Sequence, residues 1–294
     1  MPGPLFFSPK GCALTSPFCI SAHIFAREPL AFGHLRAVAE AGFHRLELWA
    51  MTPHFDAAEG PALSRLKEWL DSLSLEAVSF HAPFYRDFER ARSGEWLSFA
   101  HPDSAHRHEA VARTETAMRA FGGLGARVVV LHPGGPPPSG SEDALENLRE
   151  SVEALLPFAE KADMVLAIEN VPAPLGRPEA VAQFVEGCAH PRVRACLDTG
   201  HALLTEGTRT AAAFRRLVPL AAAVHLHDND GKQDGHLIPG EGALPWNALW
   251  ESLEEAGFSG PRSFEIRRKE EKTYSETLSC LARAPGVYAG RRKI

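Results

Sequence analysis

A single (β/α)8 barrel is the fold the sequence predicts, on three observations. Short apolar runs rich in β-branched residues recur eight times along the 294-residue chain. Helix-like stretches of Ala, Leu, Glu and Arg separate them. No composition shift marks a linker, so residues 1–294 read as one domain. Strand–helix alternation with right-handed crossovers builds a parallel sheet, and eight such units close into a barrel. An open doubly wound sheet would carry a Gly-rich phosphate turn after its first strand. The chain has HIFAREP there instead.

The predicted strands are Phe18–Ile24, Arg45–Trp49, Glu76–His81, Arg127–His132, Val165–Asn170, Val193–Asp198, Ala222–His227 and Arg262–Arg267. Helical periodicity covers Leu30–Ala41, Ala62–Ser72, His106–Phe121, Ser141–Ala162 and Trp246–Ala256. Ser141-Glu-Asp supplies a capping residue and first-turn acids, while Gly42 and Gly257 each follow a last turn. Pro136–Gly140 and Arg86–Pro102 read as long surface loops.

Composition narrows the function classes. At 45% hydrophobic and 23% charged, the chain is neither a disordered tail, a coiled coil nor a collagen-like fibre. With 31 Lys+Arg against 37 Asp+Glu, indiscriminate binding to polyanions is not expected. No apolar run is long enough to span a membrane. The opening segment MPGPLFFSPKGCALTSPF is broken by prolines and glycines and lacks a signal-peptide layout. Five cysteines, never spaced C-x-x-C, read as reduced thiols, so a cytoplasmic protein is expected.

Chemistry in such barrels collects at the carboxyl ends of the strands. Here those ends deliver Glu47, His81, His132, Glu169, Asp198 with His201 one turn on, His225 and His227, and Glu265. The loop after the seventh strand adds Asp234 and His236. One histidine after an apolar run is usually a hydrogen-bonded core residue, and one glutamate usually pairs with a nearby arginine. Successive strands all presenting such groups to one rim are different, because many carboxylates cannot share a small cleft without a cation. A divalent metal site is therefore expected, and without thiolates it suits Zn, Mn, Co or Mg. Alternation places Ala77 and Ser79 inward with His81, Val128 and Val130 inward with His132, and Ala167 inward with Glu169. It does not choose between His225 and His227.

The motifs HAPF, VVVLHPGG, AIENVP, CLDTGHA, VHLHDNDGKQDGHLIPGEG and FEIR, from about residue 44 to 268, resemble the xylose-isomerase-like barrel superfamily. That superfamily groups sugar isomerases and epimerases with endonuclease IV and carries the AP endonuclease 2 family name. The epimerase branch implies one divalent metal held by Glu169, Asp198, His225 and Glu265. In that branch Glu169 and Glu265 would be the acid–base pair, and His201, with His81 and His132, would contact a carbohydrate substrate. The endonuclease IV branch implies three zinc ions on His81, His132, Glu169, Asp198, His201, His225, Asp234, His236 and Glu265, acting on abasic-site DNA. The acidic net charge favours the sugar branch, and the rim residues Arg86, Arg90, Arg92, Arg177, Lys232, Arg267, Arg268 and Lys269 are expected to pair mostly with acids. Pairing into a homo-oligomer is also in keeping with the resemblance.

Trp49, Phe84 and Tyr85 stand at strand ends, where they would stack on a ligand or simply pack. His54 is expected at the surface. Glu47 is expected to pair with Arg45 inside the barrel, Cys196 to be core, and Glu241 to belong to a turn rather than to the catalyst.

Overall fold

The computed structural model describes residues 17–134 and 143–284. Eight parallel strands close in sequence order: β1 (Phe18–Ser21), β2 (Arg45–Trp49), β3 (Glu76–His81), β4 (Val128–Leu131), β5 (Val165–Glu169), β6 (Val193–Asp198), β7 (Ala221–Leu226) and β8 (Arg262–Phe264). Among the described residues the surrounding helices are α1 (Phe32–Glu40), α2 (Gly60–Leu73), α3 (Phe88–Arg92), α4 (Ser104–Gly122), α5 (Ala144–Lys161), α6 (Pro178–Cys188), α7 (Thr199–Glu206), α8 (Thr210–Leu217), α9 (Trp246–Glu255) and α10 (Tyr274–Ala282). None of them is long and apolar enough to cross a membrane. Gly42 and Gly257, at φ of 89° and 59°, occupy the left-handed positions after α1 and α9 that only glycine enters without strain.

The side chains sort into two layers by alternation along each strand. Leu46, Leu48, Phe80, Val129, Leu131, Leu166 and Ile168 point outward and pack against the helices. Val128, Val130, Ala167, Cys196 and Ala223 fill the lumen, as expected for the first three and for Cys196 as core. Ala77 departs from the expectation and joins the outer layer. The cause is an irregularity in pairing: Leu46 faces Ala77 but Glu47 faces Ser79, so one extra residue resets the alternation.

Other boundaries shift for local reasons. β1 stops at Ser21, whose hydroxyl accepts from the His23 N–H and turns the chain into a short 3-10 segment. Arg86–Pro102 is more ordered than a surface loop. It holds α3, capped by the Asp87 carboxylate accepting from the Arg90 N–H, and buries Leu97, Phe99 and Ala100. The Ser141 cap, Pro136–Gly140 and residues 285–294 lie outside the described residues.

Phe121 sits within the outer layer: it is fully buried, with ring centroids 5.4 Å from Phe55 and 5.2 Å from Phe80. Phe121→Ala should destabilise the fold by about 3–5 kcal/mol, read from the denaturant midpoint. A loss below about 1 kcal/mol would show that this contact is not a core contact.

Candidate metal centre

The strand ends converge on one buried floor. His225 on β7 sends Nδ1 to within 2.8 Å of Glu265 Oε2, 3.4 Å of Glu169 Oε1 and 3.8 Å of Asp198 Oδ2. Neither His225 Nδ1 nor Glu265 Oε2 makes a hydrogen bond. Close approach without hydrogen-bond geometry is how atoms stand when they point at a common ion. Beside this set, His81 Nε2 and His132 Nε2 each lie 3.2 Å from Glu169 Oε2. On the other flank, Asp234 Oδ2 is 3.0 Å from His236 Nε2, and its Oδ1 is 3.7 Å from His201 Nε2. All nine residues expected from the sequence thus come together in three adjoining clusters.

The hydrogen bonds on the far side of each imidazole say what the near side is for. A carbonyl oxygen only accepts, so His81 Nδ1 donates to Ala82 O at 2.9 Å, His201 Nδ1 to Asn170 O at 3.0 Å and His236 Nδ1 to Glu265 O at 2.6 Å. His225 is held the same way by a carboxylate, its Nε2 lying 3.1 Å from Glu47 Oε2. In a neutral ring the other nitrogen then carries a lone pair, and in each case it faces carboxylate oxygen. Lone pair against lone pair is repulsive unless a proton or a cation lies between them. Metal-bound histidines are oriented by such partners on their second nitrogen.

The titration behaviour follows. Burial opposes protonation of His225 and His201. For His225, Cys196 and the Glu47, Glu265 and Glu169 carboxylates outweigh it. For His201, Asp198, Asp234 and Glu169 do so, and both rings are held well above the usual imidazole range. Burial would raise Glu169 and Glu265, but the facing histidines bring both well below the usual carboxylate range. The floor therefore demands positive charge, which divalent ions can supply in place of protons. Oxygen and imidazole donors without thiolate fit Zn, Mn, Co or Mg.

Local sequence explains the placement. Asp198 caps α7 by accepting from the His201 N–H at 2.7 Å, which fixes His201 one turn beyond the strand. Asn170 locks Asp198 from β5, donating to its carbonyl and accepting from its N–H. A Cβ on Gly200 would lie 2.0 Å from the His227 ring, so the DTGH turn needs glycine. The loop carrying Asp234 and His236 hangs on buried Asp228. Its carboxylate accepts from the N–H groups of Asn229, Gly240 and Leu244 and from Trp246 Nε1. A Cβ on Gly242 would meet that carboxylate at 2.3 Å.

Three groups differ from the sequence reading or were not found by it, and a fourth, His227, is the one alternation left open against His225. Glu47 does not pair with Arg45, whose partner is Glu76 at 3.4 Å. It lies fully buried, accepting from Ser79 at 2.8 Å and Ser263 at 3.3 Å as well as from His225, on the lumen face of β2 opposite Leu46 and Leu48. His54 is buried, not exposed: its Nδ1 is 3.3 Å from Phe25 O and 3.2 Å from Glu28 O, and burial pushes it down to about 4. His227 sets Nε2 2.9 and 3.0 Å from the two Asp198 oxygens and stacks on His236 at 4.0 Å. His23, two residues past the end of β1, has Nδ1 3.9 Å from Glu265 Oε1 and its ring between Trp49 and His236. The rule that located the other strand-end groups finds His23 once β1 is ended at Ser21.

A cavity of about 670 Å3 opens above the floor, lined by His23, Trp49, His81, His132, His201, Asp234, His236 and Glu265 and by Phe84 and Tyr85 among others. Its rim cations are largely engaged. Arg86 pairs with Glu109, Arg90 with Asp87, Arg177 with Glu206, Arg267 with Asp234 and Lys269 with Glu241. That last pair also places Glu241 in a surface contact.

Glu47→Gln should keep the fold but weaken divalent-metal binding by about 10–100-fold, because the amide no longer fixes the His225 ring as the carboxylate does. Metal titration followed by calorimetry checks this. Unchanged affinity would remove Glu47 from the centre.

The family model described as xylose isomerase-like TIM barrel matches residues 35–284. An uncharacterized protein of Methanocaldococcus jannaschii is 26% identical over 275 residues, covering 90% of this chain and 88% of its own. A D-psicose 3-epimerase of Enterocloster bolteae is 32% identical over 126 residues, which is 42% of this chain and 38% of that protein. A solved structure of the IOLI protein with a binding zinc atom is similar at a TM-score of 0.74 and 18% identity, covering 92% of this chain and 98% of that one. The chain belongs to the xylose isomerase-like TIM barrel family.

Proposed function

We propose that the protein is a divalent-metal-dependent isomerase or epimerase of a sugar or sugar phosphate. One observation carries this reading: Glu169 and Glu265 flank His225 Nδ1 at 3.4 and 2.8 Å on the floor of a cavity sized for a small molecule. Glu169, Asp198, His225 and Glu265 would hold the ion. When bound, it would act as a Lewis acid on adjacent substrate oxygens.

The chain's own groups supply the rest. One glutamate carboxylate removes the proton on the carbon beside the substrate carbonyl, which leaves an enediolate. The other, which enters the step carrying a solvent-derived proton, gives it to the opposite side, and the configuration inverts. Without inversion, return at the neighbouring carbon moves the carbonyl instead. His201, His81 and His132 stand where they can orient substrate oxygens. Burial of both glutamates keeps bulk water off the enediolate during the transfer, and the carboxylates exchange their protons with solvent between turnovers. The relative named as a D-psicose 3-epimerase supports sugar as the substrate class, and the IOLI protein's zinc atom supports one ion as the working number.

A second reading has its own observation. His81, His132 and Glu169 form one candidate metal group, and His201, Asp234 and His236 belong to another, as a trinuclear zinc phosphodiesterase like endonuclease IV would require. The engaged rim cations weigh against it, since phosphate contacts need free ones.

Incubation with a ketose panel in heavy water should place deuterium at the reacting carbon. Glu169→Gln and Glu265→Gln should each lower that exchange by about 10²–10⁴-fold. His81→Ala and His132→Ala should leave most of it. Product formed without deuterium would contradict proton transfer. Nicking of an abasic duplex, lost in His81→Ala and His132→Ala, would establish the second reading in its place.

A further inference from the structure

The cavity has an arm that the metal centre does not use. Phe84, Phe88, Ala91 and Trp96 line it, each only half-buried. The rings form a column: Trp96 stacks on Phe84 at 5.5 Å and 5°, and Phe84 stacks on the His132 ring at 4.2 Å and 23°. An aromatic surface therefore runs outward from an imidazole of the centre.

This wall is fixed in place. Arg86 grips Glu109 of α4 through Nε at 2.8 Å and a second nitrogen at 2.5 Å. Leu97 N–H donates to Phe84 O at 2.8 Å, and Tyr85 pairs with Trp96 as an antiparallel bridge. Three aromatic rings held rigidly and left partly exposed are an unfavourable arrangement unless something covers them.

The chemistry of the arm selects the occupant. The cation beside it, Arg27, lies over the Phe88 ring at 5.8 Å rather than reaching into a polar network. A hydroxylated ring buried against Phe84, Phe88 and Trp96 would leave hydroxyls without partners. A flat apolar ring would stack at no such cost. The cavity of about 670 Å3 also has room well beyond one sugar ring. Building on the sugar reading above, we propose that the arm is a subsite for an aromatic aglycone. The substrate class is then an aryl glycoside whose sugar ring itself carries a carbonyl to the metal floor, as the enediolate step requires, and carbonyl-free glycosides serve as its binding probes.

Calorimetric titration of the zinc-loaded full chain with phenyl β-D-glucopyranoside, methyl β-D-glucopyranoside and cellobiose tests this. The phenyl glycoside should bind at least about tenfold tighter than the other two. Trp96→Ala, and independently Phe88→Ala, should bring it down to the methyl glycoside's affinity while leaving methyl glycoside and zinc binding unchanged. Equal affinities for phenyl and methyl glycosides overturn the subsite, as does no binding of any of the three. Tightest binding of cellobiose overturns it in favour of a second sugar ring. Zinc removal separates the two claims: a methyl glycoside that binds equally without zinc contradicts the sugar reading, whereas zinc-dependent but equal binding contradicts the aromatic subsite alone.

Discussion

The whole centre rests on one electrostatic constraint: Glu47, Glu169, Asp198 and Glu265 stand together where water scarcely reaches, none more than 4% exposed. Isolated buried carboxylates would take up protons, and packed side by side they would repel one another. The surrounding architecture answers that constraint. Four imidazoles are each tied back by one nitrogen, to Ala82 O, Asn170 O, Glu265 O or Glu47, and present the other to a carboxylate. Such a set is neutralised by protons or by divalent ions.

The supporting geometry follows from the same need. The His201 N–H and the His227 ring hold the Asp198 carboxylate, and the Asn170 clamp holds its backbone. Asp228 binds the loop after β7 into a fixed shape, so Asp234 and His236 arrive at the floor from outside the sheet. Gly200 and Gly242 are required because a Cβ would enter the space these carboxylate and imidazole contacts occupy. Around them the aromatic wall from Phe84 to Trp96 shapes the cavity's reach, and Arg86, Arg90, Arg177, Arg267 and Lys269 at its rim are each paired with an acid.

Much of this was legible in the sequence, since alternation and strand-end position are short-range properties. Eight strands, their order and the nine converging residues could be read from periodicity, motif spacing and resemblance. What could not be read depends on pairing across the sheet. The extra residue opposite Leu46 and Glu47 moves Ala77 to the outer layer, and only strand register reveals it. Glu47 looked like a partner for Arg45 two residues away. Its true partner, His225, is 178 positions distant and meets it only when the barrel closes. His54 escaped for the same reason: its acceptors are carbonyls of the segment after β1. Arg86–Pro102 read as loop because polar residues dominate it, while its anchoring depends on Glu109 in the next helix.

The central claim is that the convergent carboxylate–imidazole floor is a metal centre, and elemental mass spectrometry tests it most directly. The protein would be purified without chelators and its bound metals counted per chain. The account predicts at least one divalent ion per chain, removed by chelation and regained on addition of zinc, manganese or cobalt. One ion fits the isomerase reading, and three of zinc fit the phosphodiesterase. A metal-free protein that rebinds none of these ions would contradict the account, because the buried floor would then be balanced by protons alone.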